Sequence, residues 1–116
     1  MDLGPSVLLT VTRDGEEVVI AARGQLDFAT TPVLVDTVNS AASQPVIAYA
    51  LNLELVSFID SESVKAILDL QDSFAKLGKT LHVTRCSSQV ARTFGLLGVA
   101  DILGSRQPAG AGPRPA

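Results

Sequence analysis

Short alternating apolar runs open the chain, and stretches of helical period follow. Residues 8–13 read Leu-Leu-Thr-Val-Thr-Arg and residues 18–23 read Val-Val-Ile-Ala-Ala-Arg, with Asp14-Gly15 between them. β-branched residues around an Asp-Gly pair predict an antiparallel hairpin, whose second strand Gly24 would end. A short loop, Gly24-Gln25-Leu26-Asp27, leads to Thr31-Pro32. Thr at the N-cap and Pro at the first helical position predict a helix, because Pro lacks an N–H that would go unpaired there anyway. That helix runs to about Ala42 and buries Leu34, Val38 and Ala41. Ser43-Gln44-Pro45 breaks it.

Residues 46–53 read Val-Ile-Ala-Tyr-Ala-Leu-Asn-Leu. So continuous an apolar run predicts an interior strand. Residues 54–60 are expected to turn, and residues 61–77 to form the longest helix, with Val64, Ile67, Leu68, Gln71, Phe74 and Leu77 along one stripe. Gly78 would cap it. Residues 81–86 form a fourth strand. Ser87-Ser88 offers an N-cap for a third helix over 89–97, with Val90, Phe94 and Leu97 facing inward. Residues 99–103 are expected to add a last short strand or a docking segment. The order β-β-α-β-α-β-α describes an α/β fold: a mixed sheet, opened by the hairpin and continued by β-α-β units, with helices packed on it.

Composition narrows the picture. The chain has 116 residues, 47% apolar and 18% charged, which suits one aliphatic core and is too apolar for a disordered chain. Residues 1–105 are read as the single domain. Residues 106–116 are rich in Pro and Gly, hold no apolar side chain larger than Ala or Pro, and are expected to be a disordered tail. Without the tail's Arg106 and Arg114, residues 1–105 carry seven basic and twelve acidic groups, a net charge of −5. An acidic domain with no basic stripe argues against nucleic acid and suits a protein partner with basic residues. The opening residues do not resemble a signal peptide, and no apolar stretch approaches the ~20 residues of a membrane span. The expected compartment is the cytoplasm.

Candidate chemistry is sparse. Cys86 and His82 are the only cysteine and the only histidine. That weakens cysteine-zinc, Ser-His and Cys-His readings, and no metal or cofactor is expected. There is no Gly-rich phosphate loop before a helix. Asp60 after the third strand invites comparison with a response-regulator receiver. A receiver also needs an acidic pair after its first strand and a late Lys, and here Arg13-Asp14-Gly15 is a hairpin turn. Cys86 reads as a small core residue at a strand end. The informative segment is Val56-Ser57-Phe58-Ile59-Asp60-Ser61-Glu62-Ser63-Val64, between the buried strand and the long helix. Open α/β sheets place their sites there, and the first-turn N–H groups favour an anion such as phosphate. Asp60 or Ser61 serves equally well as a plain N-cap.

These residues resemble a known family. Asp60-Ser61, preceded by Val-Ser-Phe-Ile and followed by an apolar helix, is similar to the Asp-Ser-(Ser/Thr)-Gly signature of STAS domains, the sulfate-transporter and anti-sigma-factor-antagonist family. Gly24-Gln25-Leu26-Asp27 resembles the family's Gly-Glu-Leu-Asp segment. Ser87-Ser88-Gln89-Val90-Ala91-Arg92-Thr93-Phe94 and Leu97-Gly98-Val99 resemble its third helix and the segment after it. The resemblance covers residues 8–103 and agrees in element order. It implies an anti-sigma-factor antagonist, not an enzyme, that binds an anti-sigma factor serine kinase and regulates transcription by partner switching. By position the phosphate acceptor is Ser61, and the partner-binding set is Asp27, Asp60, Ser61, Glu62 and Ser63. Two positions depart from the signature. Glu62 replaces the second Ser or Thr and adds a permanent charge. Ser63 replaces Gly, and is expected to hinder close approach of a partner. The family's final helix has no counterpart in the Pro/Gly-rich end. The rival reading is a phosphorylation-independent STAS scaffold or an accessory subunit of a signalling or transport complex. Self-association as a homodimer stays open.

Overall fold

The computed structural model describes residues 7–99. Seven elements follow in order: β1 (Val7–Asp14), β2 (Glu17–Leu26), α1 (Thr31–Ala41), β3 (Ala48–Ile59), α2 (Ser61–Lys76), β4 (Thr80–Cys86) and α3 (Ser88–Leu96). The sheet order is β1-β2-β3-β4, antiparallel for the first pair and parallel for the other two. This is the mixed sheet that the pattern predicts. Segment 100–103 and the tail lie outside the described residues.

The hairpin turns one residue later than expected. Asp14 pairs with Glu17, so the loop is Gly15-Glu16, with Gly15 at φ 65° where a side chain would be strained. From there the core face can be read across the sheet. Val18 pairs with Tyr49 and Tyr49 with Leu81, while Ile20 pairs with Leu51 and Leu51 with Val83. All six are buried. α1 and α2 pack on one another, as two successive crossovers progressing along one sheet in the same direction must. Leu34, Val38 and Ala41 of α1 are buried, as their spacing requires. Phe74 of α2 meets the Tyr49 ring edge-on at 5.0 Å. In α2 the buried stripe is Ser63, Val64, Ile67, Leu70 and Phe74, so Leu70 replaces the expected Leu77, which lies past the last turn and is exposed. Val90 and Phe94 of α3 are buried, whereas Leu97 follows the helix and stays 44% exposed.

Two strands run further than expected, and both extensions build the site. Gly24 does not end β2. It takes φ 115° at an irregularity in the β2–β3 pairing, and the strand continues to Leu26. Residues 54–60 do not turn. β3 runs on through them to Ile59, pairing Leu55 with Arg23, Val56 with Gly24, Phe58 with Gln25 and Ile59 with Leu26. Register shifts after Ala21 and Gly24 let Leu53, Val56 and Ile59 point inward, so buried positions recur every third residue and the alternation of a regular strand is lost.

Side chains close the ends of the helices. Ser87 is the N-cap of α3: its hydroxyl accepts from the Val90 N–H and donates to the Val56 carbonyl at 2.6 Å. Gly78 and Gly98, at φ 75° and 72°, follow α2 and α3, where Lys79 N–H bonds to the Phe74 carbonyl and Val99 N–H to the Phe94 carbonyl. Beyond α1, Lys79 Nζ donates to the carbonyls of Ala42 and Gln44, each at 2.8 Å, and to Tyr49 Oη at 3.2 Å. One ammonium thus ties the end of α1 to β3 and to the loop before β4.

Candidate functional site

Parallel pairing brings the C-terminal ends of β2 and β3 side by side. The two loops that follow, residues 27–30 and Asp60, start from adjacent points. The Asp60 N–H donates to the Leu26 carbonyl at 3.1 Å and joins them.

Each loop is closed by an aspartate. Asp27 Oδ1 accepts from the N–H groups of Ala29 and Thr30 at 3.0 and 3.1 Å. Thr30, 1% exposed, donates its hydroxyl to the Gln25 carbonyl and accepts from the Asp27 N–H. The expected N-cap role of Thr31 is therefore not realised. Thr31 is the first helical residue, and its hydroxyl donates to the Asp27 carbonyl at 2.7 Å. The N-cap position falls to Thr30, which makes no side-chain capping bond, while the N–H groups of Val33 and Leu34 bond to its carbonyl. In the second loop Asp60 is the N-cap. Its backbone is extended, and its Oδ1 accepts from the Ser63 N–H at 2.9 Å. This decides between Asp60 and Ser61 for that role.

Ser63 is fully buried. Its hydroxyl lies 2.6 Å from that of Thr31. A hydroxyl has one proton. Thr31 gives its proton to the Asp27 carbonyl, which can only accept, so Ser63 must donate to Thr31. The result is a one-way chain, Ser63 to Thr31 to Asp27, linking the first turns of α1 and α2. Ser63 thus belongs to the interior. The expectation that it meets a partner, or obstructs one, does not fit this burial; its place is to position the two loops.

Ser61 and Glu62 face outward as the first two residues of α2. Their N–H groups precede any helical partner, and the bonds knitting the loops run through Asp27, Thr30, Thr31, Asp60 and Ser63. Asp27 and Asp60 are half-buried, with carboxylate oxygens engaged in the turns. The structure therefore brings all five sequence-selected residues together and divides their work. Ser61 and Glu62 are presented, while Asp27, Asp60 and Ser63 hold the frame. Thr30 and Thr31 complete that frame; their hydroxyls three and four residues beyond Asp27 were the available signal.

Other chemistry is weak. Among the described residues no group of three or more His, Cys, Asp or Glu could hold a metal ion. Burial pushes the Cys86 thiol up from its ordinary pKa, away from the thiolate that nucleophilic chemistry needs. No helix among the described residues is long and apolar enough to cross a membrane.

The family model described as "Mlab, STAS domain" matches residues 9–104. An anti-sigma factor antagonist from Mycobacterium paratuberculosis is similar in structure, with a TM-score of 0.76 at 19% identity, covering 88% of each chain. The anti-sigma factor antagonist SpoIIAA in its unphosphorylated form gives a TM-score of 0.67 at 23% identity, over 80% of this chain and 83% of that one. The phosphorylated form of SpoIIAA, a Bacillus cell fate determinant, gives 0.61 at 22% identity, over 79% and 85%. At these identities the likeness is one of fold. No curated protein matches the chain. The match over residues 9–104 takes in nearly all of the seven elements and both loops of the site, and on it the chain belongs to the STAS domain family.

Proposed function

We propose that this chain is a cytoplasmic anti-sigma-factor antagonist, without enzymatic activity, that binds an anti-sigma factor serine kinase and is switched by phosphorylation at Ser61. The observation that carries the reading is the division of labour at the start of α2. Asp60 and Ser63 are consumed in holding the backbone, and Ser61 between them is left exposed on a fixed helix end. A kinase needs such a hydroxyl, accessible and held in one place. Phosphate adds about −1.5 to −2 charges at neutral pH. Beside Asp60 and Glu62 that charge is costly to desolvate against a partner, so the phosphorylated form is released.

The test is titration with a purified anti-sigma factor serine kinase, with and without ATP, alongside intact-mass measurement. The wild type is expected to gain one phosphate and dissociate. Ser61→Ala should bind and resist ATP-driven release, and Ser61→Asp should bind weakly. The rival scaffold or accessory-subunit reading has one observation in its favour, the permanent carboxylate of Glu62 beside Ser61. Equal binding of both variants to one partner, with and without ATP, would establish the rival.

A further inference from the structure

Aromatic residues are scarce here: four Phe, one Tyr and no Trp. Three of the five, Tyr49, Phe74 and Phe94, are core residues no more than 1% exposed. The other two, Phe28 and Phe58, are 77% and 48% exposed. Both flank the joined loops. Phe28 lies two residues beyond Leu26, Phe58 two residues before Asp60, and the bond from Asp60 N–H to the Leu26 carbonyl fixes these points together. A core that is almost wholly aliphatic has left its two spare aromatic rings in water on the segments that flank the joined loops.

Phe28 is also held in advance. Asp27 and Thr30 on either side are tied by four hydrogen bonds to Ala29, Gln25 and each other. A ring on a fixed turn loses little backbone freedom on docking, so most of its burial appears as affinity. Aromatic anchors in dried pockets dominate binding at interfaces.

Resting on the reading above, we propose that Phe28, seconded by Phe58, is the apolar anchor of the surface around Ser61. It enters an apolar pocket on the anti-sigma kinase, and the carboxylates of Asp60 and Glu62 face basic side chains at the pocket's border. This assigns a reason for release. Seating the anchor requires the surface beside it to be dried. A neutral Ser61 hydroxyl permits that, whereas a hydrated phosphate does not.

The experiment uses the full chain and the anti-sigma factor serine kinases of its organism, each purified and titrated by calorimetry at two salt concentrations, with thermal melts as a control. Phe28→Ala is expected to melt like the wild type and bind at least tenfold more weakly, with Phe28→Leu between. Both should keep the wild-type salt dependence, which Glu62→Gln should reduce. If the wild type binds and Phe28→Ala binds within twofold of it, the anchor is wrong and the antagonist reading stands. Should no kinase bind the wild type, that reading falls and the anchor with it. Sedimentation that shows a wild-type dimer, abolished by Phe28→Ala, would assign the surface to a second copy and overturn the proposal.

Discussion

Glu62 illustrates how one residue can serve the fold and oppose the chemistry. In the first turn of α2 its carboxylate favours the helix dipole by about 0.3–1 kcal/mol. As an exposed charge next to Ser61 it would, under the proposed switch, repel an incoming phosphate. Glu62→Thr should therefore speed phosphorylation of Ser61 while lowering thermal stability slightly or not at all, read as initial rates with one kinase at low salt. A slower rate would mean that a basic residue of the kinase reads Glu62 directly. Ser63 is the opposite case, wholly internal. Ser63→Gly restores the residue of the family signature, yet it removes the hydroxyl donated to Thr31 and adds glycine's backbone freedom to the helix. The expected result is a loss of about 1–2 kcal/mol in urea unfolding, with no gain in partner affinity. A tighter complex would show that Ser63 does obstruct docking. These two neighbours look alike in sequence as departures from one signature. Only the helix phase, with Ser63 on the same face as Ile67 and Leu70, separates them.

Among the elements, α3 gives the sharpest test. Phe94 is fully buried and Leu97 is not, although helical spacing puts both on one stripe. Phe94→Ala should cost about 3–5 kcal/mol by denaturant unfolding, and Leu97→Ala under about 1 kcal/mol. Comparable costs would mean that α3 continues past Leu96. The helices were legible because their apolar period survives in the fold, and so was the hairpin, from Asp14-Gly15. The second half of β3 was not. Leu53, Val56 and Ile59 point inward at every third position, a spacing that matches neither strand nor helix and arises from register shifts against β2. For the same reason Gly24 read as a stop when it is a kink inside the strand. The start of α2 at Ser61 was plain from the sequence. The frame of Thr30 and Thr31 was only partly so: their bonds to Gln25 and Asp27 are local, whereas the contact of Thr31 with Ser63 joins two helix starts 32 residues apart.

At the scale of the whole molecule, the sheet sets where the two loops lie. β2 and β3 end together, so both loops lie at one end and are sewn to each other. The bonds that sew them bypass Ser61. A phosphate attached there would break none of them. Its attraction to the helix N-terminus and its repulsion from Glu62 oppose each other and are of similar size. Phosphorylated and unphosphorylated chains should therefore unfold with free energies within about 0.5 kcal/mol, checked by denaturant curves on the two purified forms. This separates message from lifetime. Proteases that sample the transiently opened chain respond to the free energy of opening. They would clear both forms at one rate, leaving the ratio of the two states to the enzymes that add and remove phosphate.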